Sequence, residues 1–457
     1  VELDVGSLGL VDHGPVCFGG RLPTGDIRSP WFRFPLWQKG VRYGEVDLAF
    51  FLIVIALLVI GIIMMFSASY AWAISEGLEG SYYAKEQIKM AVIGLAAMWF
   101  LSIVDYHLYK TPGIAICAYV VPVILLILVL LVGTSEGGAQ RWLVIGKFNF
   151  QPSELMKIGI VIFFAYHIEK NYDRMNRFKT GVLPYLLALA VVAALLMMEP
   201  HLSGTILICT VAISMIIVGG IRPVHFLELA VTGIAAIIGI VLYLSISKGY
   251  GYFQTRIQSW LDPFADSQGG TWQTCQSLIA IGSGGLFGLG LGESRQKYLY
   301  LPETKNDFVF SIVCEELGFV GALTVVLLFV LLLVRGFYIA SHAHDKFGML
   351  LTVGFTVHIG LQAFINIGVV SNLIPNTGIS LPFFSYGGTA LILQLAEMGI
   401  VLNISRARYR AEVPEKEPAA AHTTEQKPEQ KAEPKSEPEQ HPVHEPTGNG
   451  NPAVGTA

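Results

Sequence analysis

The chain has 457 residues, 53% of them hydrophobic and only 14% charged, with a mean hydropathy of +0.56 and a net charge of −4. These values lie outside the range of soluble globular proteins, and so small a net charge gives no support for a nucleic-acid partner. The five cysteines, at positions 17, 117, 209, 275 and 314, show no pairing pattern, so no disulfide framework is implied.

Residues 1–41 are rich in Gly and Pro, with Trp31, Phe32, Phe34 and Trp37 near their end. No signal-peptide pattern opens the chain, so the first apolar run is expected to be a retained anchor. Crossing a bilayer core of ~30 Å takes ~20 helical residues. Apolar runs of about that length occur near 48–69, 88–104, 113–133, 154–168, 182–198, 203–220, 224–246, 308–334, 347–369 and 386–404. The expected fold is an all-α polytopic membrane protein of about ten transmembrane helices, occupying 42–410, with a large extracytoplasmic loop, 247–307, before helix 8. Residues 411–457, mostly Pro, Glu, Lys, Ala and His, cannot bury enough surface to offset the entropy of ordering and read as a disordered tail.

Basic residues set the orientation. With both termini cytoplasmic, the short inner loops hold Lys110, Lys170, Arg174, Arg177, Lys179, Arg222, Arg335 and Lys346, and Arg406, Arg408 and Arg410 follow the last span. The short outer loops then hold Lys85, Arg141 and Lys147.

Four groups carry candidate chemistry. Asp307 sits where the long loop enters the eighth apolar run, with Glu315 and Glu316 about two turns further on. Ionisable groups in a span cost about 2.5–3.5 kcal/mol each on insertion scales, so they usually line a cavity or a pathway. Taken alone, Asn306 or Asp307 serves equally well as a helix N-cap; the functional alternative is a general base reached by both water and a lipid-linked substrate. Second, Gln151-Pro-Ser-Glu154-Leu-Met-Lys157 opens the fourth span, and Glu154 and Lys157 share a face at a pairing distance. Four lipid-facing charges at 154, 157, 315 and 316 would cost on the order of 10 kcal/mol, so these side chains are expected to face inward. Third, the glycine-rich run Gly282–Gly292, followed by Arg295 and Lys297, resembles an anion-binding loop but lacks the Gly-Lys-Ser/Thr ending. Fourth, Pro375–Thr389, in which two prolines and three glycines accompany hydroxyls such as Ser380 and Ser385, reads as non-helical backbone at membrane depth, which must be buried or line a cavity. Gln362, Asn366 and Gln394 beside it read as interhelical glue. His201 reads as a hydrogen-bonded turn residue, and no Cys/His zinc spacing occurs.

In fixed order, Met65-Phe-Ser-Ala-Ser-Tyr70, Gly138-Ala-Gln-Arg141-Trp142, Phe150-Gln-Pro-Ser-Glu154-Leu-Met-Lys157, Ser277–Gly285, Gln296-Lys297, Leu301-Pro-Glu303, Asp307-Phe308, Glu315–Gly318 and Pro382–Gly388 resemble the SEDS family, the FtsW/RodA/SpoVE group of peptidoglycan glycosyltransferases. The first of these runs and the charged tail look more like its division branch. The resemblance implies polymerisation of lipid II into glycan strands at the outer face of a bacterial cytoplasmic membrane. It also implies an essential acid at the position of Asp307, supported by Gln151, Glu154 and Lys157. Arg141, Lys157, Arg295 and Lys297 are the candidate partners of the departing undecaprenyl pyrophosphate, and Ser385 is a further candidate for substrate contact. A divalent cation, Mg2+ or Mn2+, is the candidate cofactor, with no organic cofactor and no assigned metal ligands. The implied partners are a class B penicillin-binding protein and other membrane proteins of the divisome or elongasome. Family members often carry an acid after the Glu-Pro pair where this chain has His201, which leaves open a share of that position in cation binding. A lipid II flippase and a non-catalytic scaffold activating the transpeptidase are the alternatives.

Overall fold

The computed structural model describes residues 45–411, apart from 137–138, 146–147, 200, 267–268 and most of 223–257. The expected N-terminal segment, the seventh apolar run at 224–246 and the tail beyond 411 lie outside the described residues. The main helices are α1 (Leu48–Ser75), α2 (Tyr82–Ile103), α3 (Pro112–Val132), α4 (Pro152–Lys170), α5 (Leu183–Met198), α6 (Leu202–Val218), α7 (Trp272–Ser283), α8 (Val309–Ser341), α9 (Lys346–Val370) and α10 (Gly388–Ala411). Among the described residues, seven helices are long and apolar enough to cross a membrane, the fourth of them including a π-turn that leads into α5. Two further expected spans coincide with helices: α4, which carries charged residues, and the shorter α6. An antiparallel three-stranded sheet, β1 (Thr134–Glu136), β2 (Ala139–Ile145) and β3 (Phe148–Phe150), joins α3 to α4, pairing Thr134 with Trp142 and Leu143 with Phe150.

Local chemistry explains the helix starts. The Asp47 carboxylate accepts from Phe50 N–H at 3.0 Å and caps α1, and Asp345 caps α9 through Gly348 N–H. Pro112 and Pro152 open α3 and α4 at positions where a missing N–H costs nothing. α9 is the central helix: 72% of its most apolar stretch is buried, against 22% for α8 and α3. It touches α4, α6, α8 and α10, while α10 lies closely along α2.

Each end of the bundle is tied by polar contacts. At one end Arg335 forms a bidentate pair with Asp47, with Nε 2.9 Å from Oδ1 and Nη2 2.8 Å from Oδ2. Lys110 reaches Glu169 at 2.7 Å and Asp345 at 3.5 Å, and Asp47 N–H donates to Ser405 Oγ. The start of α1 and the end of α10 therefore share this end. At the opposite end Asn372, just past α9, donates to the Trp260 carbonyl. The chain thus leaves α6 beside Tyr172 at the first end, at Gly220, and reaches the other end by Trp260. The expected seventh span falls in the interval between these two points, outside the described residues.

Candidate functional site

α8 is broken. Gly318 adopts φ +68° and ψ −167° inside it, a conformation that L side chains avoid. The glycine-rich loop heals the break by strand-like pairing: Leu289 and Gly290 N–H donate to the Glu315 and Glu316 carbonyls, and Phe319 and Val320 N–H donate to Gly285 and Leu286. Residues 319–341, about 34 Å at ~1.5 Å per residue, suffice to cross the bilayer core, so the stretch from Asp307 to Gly318 is free to form a rim at one end of the bundle.

Glu315 and Glu316 grip the same loop from within. Glu315 accepts from Ser294 Oγ and from Arg295 N–H at 3.0 Å. Glu316 accepts from Ser67 Oγ at 2.6 Å and from Lys297 Nζ at 3.1 Å. Lys297 is only 3% exposed, and it also donates to Ser67 and to the Gly292 carbonyl. Its ammonium is thus committed to an internal ion pair, whereas the neighbouring Arg295 is exposed.

The N-cap of α8 falls on Phe308, which makes no side-chain capping bond, rather than on Asn306 or Asp307. Asp307 stands half-buried on the preceding turn, and the backbone of that turn is fixed carbonyl by carbonyl. Tyr386 N–H donates to Lys305 O at 2.8 Å, Ser385 Oγ to Asn306 O at 2.6 Å and Asn366 Nδ2 to Asp307 O at 2.7 Å. Asn366 also donates to Ile379 O, joining the α8 turn to the segment between α9 and α10. A Cβ at Gly378, where φ is +70°, would lie 3.3 Å from Asp307 Oδ2, so this glycine lets backbone cross directly beside the carboxylate. Ser385 accepts from Leu381 N–H as well, so both faces of its hydroxyl are occupied in holding the turn.

Below this rim a buried polar chain links three helices. Glu154 and Lys157 pair at 2.7 Å, and Lys157 also donates to Gln362 Oε1 at 3.1 Å. Gln362 Oε1 lies 3.1 Å from His358 Nε2, and His358 Nδ1 lies 2.8 Å from Glu397, which is 1% exposed. Gln362 Nε2 donates to Ser380 O, so the chain ends on the segment that passes Asp307. His358 and Glu397 were not singled out from the sequence. The available signal was a lone acid at 397 in an apolar helix, together with His358 and Gln362 one turn apart on α9.

The other expected residues border this rim. Gln151 holds the N-cap position of α4, half-buried, without a side-chain capping bond. Arg141 on β2 donates to the Glu199 carbonyl at 3.4 Å. Glu199 is buried in the α5–α6 turn with Oε1 unpartnered, and burial pushes its carboxyl up to about 8, against the opposing pull of Arg141. His201 is held neutral, lowered to about 3 by burial and then by the nearby Arg141 and Lys157 charges. Among the described residues no group of three or more His, Cys, Asp or Glu side chains is placed to hold a metal ion. The buried carboxylates at 154, 315 and 316 are already answered by Lys157, Ser294 and Lys297. The described residues do not fit a resident metal centre.

Comparison with known proteins agrees with this architecture. Residues 47–410 match the cell cycle protein family FtsW/RodA/SpoVE. Stage V sporulation protein E of Bacillus subtilis is 42% identical over 370 residues, covering 79% of this chain and 98% of the relative. A probable peptidoglycan glycosyltransferase FtsW of Geobacter sp. (strain M18) is 37% identical over 364 residues, covering 80% and 98%. Among solved structures, a chain from a peptidoglycan synthase complex that coordinates polymerization and crosslinking superposes with a TM-score of 0.67 at 28% identity, covering 80% of this chain and 98% of that one. The rod shape determining protein RodA of Thermus thermophilus superposes at 0.58 and 28% identity, with the same coverage. From its motifs, its helical membrane fold and these relatives, the chain belongs to the FtsW/RodA/SpoVE family.

Proposed function

We propose that this protein is a peptidoglycan glycosyltransferase that polymerises lipid II at the outer face of the bacterial cytoplasmic membrane, in cell division or shape maintenance. The observation that carries this reading is the Asp307 turn: a half-buried carboxylate at the rim of a helical bundle, its backbone held by three successive hydrogen bonds and crossed by Gly378. Asp307 takes the proton from the attacking sugar 4-hydroxyl as that oxygen bonds to the anomeric carbon of the glycan chain. The bond from that carbon to undecaprenyl pyrophosphate breaks, and a single displacement inverts the centre. Arg141 and the exposed Arg295 supply positive charge toward the leaving pyrophosphate. Lys157, buried and paired, acts through Gln362 and Ser380 on the segment beside Asp307. Lys297 and Ser385 are assigned to holding the site together rather than to substrate, because their polar atoms are already engaged. Mg2+ or Mn2+ enters this proposal only as a counter-ion on the substrate's own pyrophosphate.

Both termini are assigned to the cytoplasm and the Asp307 rim to the outside, on the distribution of basic residues. The similarity to a chain of a synthase complex supports a class B penicillin-binding protein as partner. One observation favours a second reading, a lipid II flippase: the buried chain from Glu154 to Glu397 places charge deep among the helices. Purified protein with its transpeptidase and fluorescent lipid II separates the two. Asp307→Asn should lower strand synthesis by about 10²–10⁴-fold, the usual worth of a general base. Undiminished strands from that variant would remove Asp307 from the mechanism, and transbilayer movement without polymer would favour the flippase.

A further inference from the structure

The geometry points to Lys305 as a positioning residue for Asp307, acting through a cage built by the α1–α2 hairpin; the inference rests on the reading of Asp307 as general base. Lys305 Nζ accepts no substrate-facing role in this arrangement, because it is enclosed: it lies 2.8 Å from Tyr83 OH and 3.2 Å from Glu76 Oε1, and its side chain is 15% exposed. The ammonium sits 4.0 Å from the centroid of the Tyr83 ring and 5.2 Å from that of Trp72. Tyr83 itself donates to Glu76, so acid, phenol and ammonium form a closed triangle. The Tyr386 ring meets Tyr83 edge-on at 5.0 Å, and the Tyr386 N–H holds the Lys305 carbonyl. Lys305 is thus gripped twice: its backbone by the segment before α10, its side chain by α1 and α2. Two residues on stands Asp307. Thr304 adds a neutral bond to the Ala68 carbonyl on α1. The cage therefore sets where the α8 turn lies against the α1–α2 hairpin, and with it where the base meets the attacking hydroxyl.

A displaced base slows the chemical step without weakening substrate capture, since a shift of ~1 Å can cost ~10²-fold. The test uses the full chain with its transpeptidase and fluorescent lipid II, measuring kcat and KM separately. Lys305→Met should lower kcat by about tenfold or more while KM stays within about twofold, and Lys305→Arg, which keeps the cation over the rings, should recover kcat to within about threefold. Glu76→Gln should give a smaller kcat loss, and Glu76→Gln/Lys305→Met should be no slower than Lys305→Met, because both open one cage. Should Lys305→Met fail to fold, Glu76→Gln at the rim carries the same test. Unchanged kcat, or a lower melting temperature with unchanged kcat per folded molecule, overturns the inference. A raised KM with kcat retained also overturns it, by making Lys305 a substrate contact. Asp307→Asn run in parallel keeps the two readings apart: an active Asp307→Asn defeats the base assignment, whereas an inactive Asp307→Asn beside a fully active Lys305→Met defeats only the cage.

Discussion

Glu154 and Lys157 are almost sealed from solvent, at 9% and 6% side-chain exposure, and their charges are 2.7 Å apart. Losing one partner of a buried pair leaves an uncompensated charge, at a cost of about 3–5 kcal/mol, whereas replacing both by neutral groups often costs far less. Lys157→Met and Glu154→Gln should each lower the melting temperature in detergent clearly, and the double variant should recover part of the loss. Additive losses would show that the two do not act as a pair. The pairing itself was readable from the i, i+3 spacing; its continuation through Gln362 to His358 and Glu397 was not, because it depends on α9 and α10 meeting α4. Glu199 offers a second test. Its folded carboxyl is raised from an ordinary 4.5 to about 8 by burial, so the folded state keeps a proton that the unfolded chain releases. Stability then falls as pH climbs from about 4.5 to about 8 and levels off above, because the folded state binds more protons in that window. Glu199→Gln, which mimics the neutral acid, should flatten this slope in melting curves taken between pH 5 and 8. An identical slope in both proteins would mean that Glu199 is charged in the folded state.

The interrupted helix α8 is the element that builds the rim. An apolar run near 308–334 was legible from hydropathy, but the break was not, since Gly318 looks like any tolerated helical glycine until φ +68° is seen. The glycine-rich loop matches an anion cradle only in part, lacking the Gly-Lys-Ser/Thr ending, and its Leu289 and Gly290 N–H groups complete the backbone of α8. Both features follow from one constraint, that freed backbone groups near the bilayer must find partners within the protein. A methyl group at Gly318 would need both a disfavoured φ and space already taken by the Leu286 backbone at 2.7 Å. At Gly282, inside α7, an added Cβ meets nothing within 4 Å. Gly318→Ala should therefore lower the melting temperature, while Gly282→Ala should leave it unchanged or raise it, given alanine's helix preference of about 1 kcal/mol over glycine. Equal effects at the two sites would remove the break as a built feature.

For the whole molecule, hydropathy located the helices, because length and apolarity are local properties, and nine of the ten expected runs coincide with helices among the described residues. It did not reveal which helix is central, since α9 is less hydropathic than α1, α3 or α8 yet far more buried. Polar residues at membrane depth must face protein, which suits the His358, Gln362 and Asn366 face of α9 to the middle of the bundle. The two ends are also distinct. Asp47, Lys110, Arg335, Asp345 and Ser405 meet at one end, and Lys305, Asp307, Asn372 and Ser385 gather at the other. If the first end is cytoplasmic, as proposed from the basic residues, single thiols should separate cleanly. In a background with the five native cysteines replaced by serine, Tyr300→Cys, exposed on the loop before Asp307, should react with a membrane-impermeant maleimide added to intact spheroplasts. Ser341→Cys, exposed at the far end of α8, should react only after the membrane is opened. The reverse pattern would put Asp307 in the cytosol, away from any glycan acceptor, and the polymerase reading would fail with it.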